Sequence, residues 1–188
     1  MNEIRTFIAV ELSDEAKAEL SRIQSVFQKN PDNIKWVKPD NIHLTLKFLG
    51  NIQENKSEEI ENVLKKAVLG IAPFEIVLHG LGVFPGENVP RVLWVGIKDG
   101  AKQLTDIADK IETLLAEKGF PKEKRNFSAH LTLGRIKHIK NRTLFKNLLN
   151  SVIVKQVSVH VGRIVLFKSK LSSEGALHEV LQVINLTK

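Results

Sequence analysis

The chain contains 188 residues, of which 43% are hydrophobic and 26% are charged, a composition typical of a globular protein rather than a disordered or fibrous one. Its length suits one large core or two small lobes that share a core, so we predict a single domain over residues 1–188. The absence of cysteine excludes disulfides and thiolate nucleophiles, while a formal net charge of +7 favours an anionic partner.

The first half of the sequence predicts the order strand, helix, strand, helix, strand. Strands are indicated by runs of β-branched and aromatic residues, and helices by apolar residues that recur every three or four positions. The predicted elements are a strand at 6–11, a helix capped by Ser13 and reaching Phe27, a strand that carries His43-Leu-Thr-Leu46, a turn at Gly50-Asn51, a helix around 60–64 and a strand at 74–84.

The second half predicts the same order. Gly119, followed by Pro121, is a typical end for the long helix of this half. The elements are a strand at 91–97, a turn at Asp99-Gly100, a helix over 104–115, a strand that carries His130-Leu-Thr-Leu133, a short helix around 144–149 and one or two strands between 153 and 167.

The recurrence of His-Leu-Thr-Leu in matching places indicates an internal duplication, approximately 4–84 and 91–168, joined by the loop at 85–90. Each half alone has a marginal core, so we expect two lobes packed together with a cleft between their sheets. Short connections near Gly80 and Gly82 favour hairpins. The sequence therefore predicts an α+β fold with two mainly antiparallel sheets and helices on their outer faces.

The two His-Leu-Thr-Leu motifs are the strongest indication of function. Because side chains alternate along a strand, His43 and Thr45 share one face, and so do His130 and Thr132, while the leucines enter the core. Two imidazoles and two hydroxyls around one cleft are the acid, base and anion-binding groups that in-line displacement at phosphorus requires. No metal and no cofactor are needed for this chemistry.

Other interpretations of the histidines are weaker. A single His-x-Thr pair is more often a surface or partly buried position than a catalytic one, but an identical pair in two repeats is harder to dismiss. A zinc site would need more ligands than two histidines supply. The remaining histidines lack the threonine partner, and we expect them to be surface or structural residues: His79, His138, His160 and His178.

Charge and hydropathy indicate the kind of partner. Eight basic residues and one acid lie in the stretch from Lys118 to Arg142, which would attract a polyphosphate backbone, although a solvated basic surface has the same composition. No apolar run reaches the ~20 residues of a membrane helix, and residues 1–15 lack the pattern of a signal peptide. We therefore expect a cytoplasmic protein without membrane attachment.

The motifs also carry a family resemblance. The segments 41–50 and 128–135, together with Arg5-Thr-Phe-Ile-Ala-Val-Glu11, Lys35-Trp-Val-Lys-Pro-Asp40 and Pro90-Arg-Val-Leu-Trp94, resemble the two-histidine (2H) phosphoesterases. Within that superfamily the chain most resembles the RNA 2',3'-cyclic phosphodiesterases of the 2'-5' RNA ligase type. One departure is His178, which stands where an aromatic residue, often tyrosine, is expected.

The resemblance implies a bilobal fold with a pseudo-two-fold axis and a direction for the chemistry. It implies that His43 is the proton donor to the leaving 3' oxygen and His130 the proton acceptor toward water, with a 2'-phosphate as product. From the residues alone, Thr45 and Thr132 are expected to bind the non-bridging oxygens. Arg135, directly after the second motif, is expected near the phosphate if the strand continues past Gly134, and an Arg135 that faces solvent is the alternative.

The leading prediction is a metal-independent RNA 2',3'-cyclic phosphodiesterase, for which microscopic reversibility allows joining to a 2'-5' linkage. Its expected partners are RNAs with 2',3'-cyclic phosphate ends, tRNA fragments among them, and it is expected to be a monomer. A phosphodiesterase for 2'-5' oligonucleotides or small cyclic nucleotides could use the same four side chains. A non-catalytic RNA-binding module is the third candidate, and the two intact His-Thr pairs count against it.

Overall fold

The computed structural model describes residues 2–30, 32–172 and 175–188. These residues form nine strands, four α-helices and two short 3₁₀ turns. In chain order they are β1 (Glu3–Val10), α1 (Asp14–Gln28), β2 (Asn33–Trp36), a 3₁₀ turn (Pro39–Asn41), β3 (Leu44–Gln53), a 3₁₀ turn (Glu54–Lys56), α2 (Ser57–Val68), β4 (Phe74–Phe84), β5 (Val92–Ile97), α3 (Ala101–Glu117), β6 (His130–His138), α4 (Arg142–Ser151), β7 (Ser158–Val161), β8 (Arg163–Ser172) and β9 (Gly175–Asn185).

Local chemistry explains where the first helix begins and which side it buries. The Ser13 hydroxyl accepts a hydrogen bond from the Ala16 amide at 3.3 Å, which satisfies one of the free N–H groups at the start of α1. Leu20, Ile23 and Phe27 follow at helical spacing, and all three are buried. The predicted cap and apolar stripe of this helix are therefore confirmed.

The strands form two antiparallel sheets. The first has the order β3-β1-β8-β9 and the second the order β2-β6-β5-β4-β7, and all pairings between these strands are antiparallel. Four strands of each sheet correspond in order, with β3 matching β6, β1 matching β5, β8 matching β4, and β9 matching β7, while β2 is an additional edge strand of the second sheet. The predicted α+β class with two antiparallel sheets is confirmed.

The two halves of the chain exchange strands, so neither sheet is formed by one half alone. β4 follows β3 in the chain but pairs with β5 and β7 in the second sheet, and β8 follows β6 and β7 but pairs with β1 in the first sheet. Each sheet thus combines strands from both halves. Neither half can complete its sheet alone, because an unpaired strand leaves its backbone groups without hydrogen-bond partners.

One face of each sheet packs into a common core. Leu44 of β3 and Leu131 of β6 are fully buried there, together with the apolar side of α3. The opposite face of the first sheet carries a second, smaller cluster that consists of Phe7, Ala9, Val165 and Phe167. The central strands β1 and β8 bury apolar residues on both faces. Each therefore contains several apolar residues in succession.

Several expected boundaries are wrong. The predicted turn at Gly50-Asn51 lies inside β3, where Gly50 has a φ of +73° and pairs with Thr6. The connections expected near Gly80 and Gly82 lie inside β4; Gly80 (φ +67°) marks a bulge instead of a hairpin. β2 and β9 were not predicted, since β2 has only four residues and β9, an edge strand, does not alternate regularly between apolar and polar residues.

In the part of the chain that the structure describes, none of the helices is long and apolar enough to cross a membrane.

The exchange of strands predicts that residues 1–88 do not fold as an isolated fragment, because β4 then lacks β5 and β7, and β1 lacks β8. Circular dichroism of this fragment should show no cooperative thermal unfolding transition. The full chain, measured beside it, should unfold in one transition. A fragment that melts cooperatively would show that the first half is an independent unit.

Candidate active site

The first half-site is built around His43, which directly precedes β3. Its imidazole stacks on the ring of Phe7, with 4.5 Å between centroids and 22° between planes. His178 of β9 meets His43 edge to face, with 5.2 Å between centroids and 88° between planes. Phe7 in turn stacks on Phe167 at 5.2 Å. The small apolar cluster of the first sheet therefore forms a rigid floor under this histidine.

This environment changes the acidity of His43. Burial disfavours the imidazolium, the charge of His178 disfavours it further, and together they lower the pKa of His43 from 6.5 to about 4, although a hydrogen bond with the backbone of Asn41 opposes them. Burial also lowers the pKa of His178. In the free protein His43 is therefore neutral at pH 7, and once protonated it is a stronger acid than an ordinary histidine.

The second half-site is built around His130, the first residue of β6. Its Nδ1 lies 2.7 Å from the carbonyl oxygen of Ser128. Because a carbonyl can only accept, Nδ1 must carry the proton, and the lone pair of the neutral ring is then on Nε2. The ring edge packs against Phe84, with 5.0 Å between centroids and 88° between planes. The neutral ring of His130 therefore presents Nε2 as a hydrogen-bond acceptor.

The two half-sites share one local design. Each histidine makes a backbone hydrogen bond two residues before itself, His43 with Asn41 and His130 with Ser128. The leucines of both motifs are buried, whereas the threonines are half-buried on the other face. Strand β3 contacts β6, so the two strands that carry the motifs are neighbours.

A buried ion pair connects the two motifs through α3. Lys47, just after the first motif, is 3% exposed, and its Nζ lies 2.6 Å from Glu112 of α3 and 3.0 Å from the Pro121 carbonyl. The other oxygen of Glu112 accepts the Glu123 amide at 2.6 Å. The segment that leads into His130 is therefore attached to the strand that follows His43.

A bulge in β6 decides where Arg135 lies. Neighbouring residues of β5 pair with Thr132 and Gly134, so Leu133 is an extra residue in β6. An extra residue moves every following side chain to the opposite face. Arg135 consequently shares the face of Thr132, and it is exposed. Strict alternation would instead have directed Arg135 into the core.

The same bulge occurs in the first motif. Consecutive residues of β1 pair with Thr45 and Lys47, which leaves Leu46 as the extra residue of β3. Phe48 then occupies the position that Arg135 occupies in the second motif, five residues after the histidine in each case. Phe48 is 55% exposed and lies 6.2 Å from Phe7 between ring centroids.

Two buried polar atoms without hydrogen-bond partners belong to rings that lie beside the two histidines. Among the described residues, three buried side-chain atoms lack a hydrogen-bond partner: Thr6 Oγ1, Trp94 Nε1 and His178 Nδ1. His178 contacts His43, and Trp94 lies beside His130 with 6.4 Å between ring centroids. Buried polar groups normally have partners, and a bound ligand could supply them here.

His178 makes a contact that the sequence did not predict. The sequence predicts it to be surface or structural, but pairing of β9 with β8 directs its ring against His43 and Phe7. Its isolated position in a strand that was not predicted gave no indication of this contact. His79, His138 and His160 are exposed, as expected. The described residues contain no cluster of three His, Asp or Glu side chains that could hold a metal ion.

Two matched half-sites on two antiparallel sheets define a duplicated, two-histidine phosphoesterase architecture. The sequence comparison gives the family: the model of the LigT-like phosphoesterases matches the chain twice, over residues 10–94 and 95–178, and the chain belongs to this family. The two matches also confirm the predicted duplication.

Relatives match along nearly the whole chain. An RNA 2',3'-cyclic phosphodiesterase of Methanothermobacter thermautotrophicus is 34% identical over 185 residues, covering 98% of this chain and 100% of the relative. One from Aquifex aeolicus is 40% identical over 149 residues, 79% of either chain. Among solved structures, TT0787 of Thermus thermophilus aligns with a TM-score of 0.82 and 26% identity, covering 97% of this chain and 98% of that one.

The contact between His178 and His43 predicts that His178→Phe raises the pKa of His43 from about 4, because the substitution removes a like charge but keeps a ring in place. The pKa should stay below 6.5, since burial remains. Titration of the His43 ring protons by NMR measures the change. His138→Phe, which removes an exposed imidazole, is the control. An unchanged pKa in His178→Phe would show that the two rings do not interact electrostatically.

Proposed function

We propose that this protein hydrolyses the 2',3'-cyclic phosphate ends of RNA to 2'-phosphate ends. The observation that carries the proposal is the pair of His-Thr motifs, each fixed on the same face of its strand in a family whose relatives include RNA 2',3'-cyclic phosphodiesterases. Hydrolysis needs one group to take a proton from water and another to protonate the leaving oxygen. The two histidines supply these groups.

His130 is the proposed acceptor. Its Nδ1 proton is engaged by the Ser128 carbonyl, so Nε2 is free to accept a proton from the attacking water. Packing against Phe84 limits rotation of the ring and keeps this nitrogen aligned. The fixed tautomer lowers the entropy cost of reaching the transition state.

His43 is the proposed donor to the leaving 3' oxygen. Its lowered pKa makes the imidazolium a strong acid, but also makes it scarce at pH 7 in the free protein. The negative charge of a bound cyclic phosphate favours the protonated ring and raises its pKa. Substrate binding and protonation of His43 are therefore coupled, and the site becomes competent when its substrate is present.

Thr45, Thr132 and Arg135 are proposed to bind phosphate groups of the substrate, and the two threonines bind the reacting one. The two hydroxyls lie on the face of the histidines and can donate to the non-bridging oxygens, where charge accumulates during displacement. Arg135 lies on the same face two residue pairs further along β6 and adds positive charge there. This chemistry requires neither a metal nor a cofactor.

The proposed RNA substrate agrees with the charge of the surface near the second motif. All eight basic residues of the stretch from Lys118 to Arg142 are exposed, and they can attract a phosphate backbone without reading its sequence. Fragments of tRNA as substrates, a monomeric state and a cytoplasmic location stay predictions from the sequence.

His43→Ala and His130→Ala should each lower turnover by 10² to 10⁴-fold, roughly 3 to 5 kcal/mol of activation free energy, because each removes a proton-transfer group. The assay is hydrolysis of an RNA with a 2',3'-cyclic phosphate end in EDTA, with identification of the terminal phosphate. Unchanged thermal unfolding of the variants is the control. Near wild-type rates in both would refute the two-histidine mechanism, and a 3'-phosphate product would refute the assigned direction.

Thr45→Val and Thr132→Val should lower kcat by roughly 10- to 100-fold, because each removes one hydrogen bond to the phosphate and preserves the shape of the side chain. Steady-state kinetics on the same RNA measures the effect. Thr113→Val, on the exposed side of α3, is a matched control. Full activity in both site variants would mean that the hydroxyls do not contact the phosphate.

A further inference from the structure

The two half-sites have the same backbone plan, but the residues that flank them differ in charge. In the first sheet, the row of paired residues through Phe48 continues with Phe7, Phe167 and Val180 and is entirely apolar. In the second sheet, the matching row through Arg135 continues with Val92 and Phe84 on one side and Lys35 of β2 on the other. Two cations therefore lie side by side only next to the second motif.

Both cations lie on the face of the sheet that carries the motif. Residues paired directly across an antiparallel sheet point to the same side, so Lys35 and Arg135 share a face. Their neighbours Ile34 and Ile136 are 8% and 4% exposed and point into the core, whereas Lys35 and Arg135 are exposed. Val92, the other partner of Arg135, shares the face of Trp94 and Thr132 because it lies two residues before Trp94.

No carboxylate compensates these two charges within residues 2–30, 32–172 and 175–188. None of the ion pairs in this part of the chain includes Lys35 or Arg135. Like charges placed directly opposite each other destabilise a strand pair. An anion bound between them would remove this repulsion, and a phosphate presents several oxygens to a guanidinium and an ammonium at once.

We propose that Lys35 and Arg135 form a second phosphate subsite, which binds the phosphate on the 5' side of the terminal nucleoside of an RNA substrate. The inference rests on the proposed function and extends it from the reacting phosphate to its neighbour in the chain. The subsite makes the protein selective for oligonucleotide ends over isolated nucleoside cyclic phosphates.

The spacing along β6 fits this assignment. Because Leu133 is an extra residue, Arg135 lies about two regular strand positions beyond Thr132, or about 7 Å. One nucleotide separates its two phosphates by a similar distance. A reacting phosphate held by Thr132 therefore leaves the next phosphate within reach of Arg135 and Lys35. The corresponding row of the first sheet, which begins with Phe48, offers no charge to a phosphate and so cannot serve this purpose.

The test compares two substrates that differ only in the phosphate concerned: adenosine 2',3'-cyclic phosphate and the same compound with a 5'-phosphate. In the wild type, kcat/KM should be about tenfold higher with the 5'-phosphate, as expected for a charge-assisted contact. Lys35→Gln should remove most of this advantage, mainly through KM, and Lys35→Arg should keep it. Raising the salt concentration should lower the ratio of kcat/KM between the two substrates more in the wild type than in Lys35→Gln.

Lys66→Gln, an exposed lysine of α2, is the matched control for charge, and it should keep the wild-type ratio. An unchanged ratio in Lys35→Gln would overturn the subsite, as would an equal loss on both substrates, which would place Lys35 at the reacting phosphate or in folding. Such results leave the proposed hydrolysis standing. A wild type that cleaves neither substrate nor a longer RNA end would instead overturn the proposed function, and the subsite with it.

Discussion

Both half-sites depend on one constraint: the motif threonine lies between two leucines, and both leucines are buried in the core. Leu44 and Leu46 anchor one motif strand in the core, and Leu131 and Leu133 anchor the other. Alternation then leaves no freedom for the threonine between them, which must face the other side. A polar substitution at one of these leucines would leave an unpaired polar group in the core and release the strand that positions the threonine.

The second constraint joins the two half-sites. Each sheet contains strands from both halves of the chain, and the ion pair of Lys47 with Glu112 attaches the segment before His130 to the strand after His43. Removing one partner of a buried pair leaves an uncompensated charge and is strongly destabilising. Proton transfer by two groups to one phosphate needs this mutual positioning, since small displacements of catalytic groups are costly.

The duplication preserves the backbone while the side chains diverge. Both motifs have a bulge at the second leucine, yet the residue it redirects is Phe48 in one and Arg135 in the other. His43 stacks on Phe7 and meets His178 in an environment that lowers its pKa, whereas His130 packs edge to face against Phe84. The two half-sites therefore share a backbone plan but have different surroundings.

The sequence by itself determined the α+β class, the capped helix after Ser13 and the alternation of buried leucines with the motif threonines, because each depends on residues close together in the chain. It also determined the duplication, because the same motif occurs twice. Only the tertiary structure decided the exchange of β4 and β8, the contact of His178 with His43 and the pairing of Lys35 with Arg135. These features depend on which strands become neighbours and on a one-residue bulge. Strand neighbours and bulges are determined by how the whole chain packs, and a local sequence pattern does not contain that information.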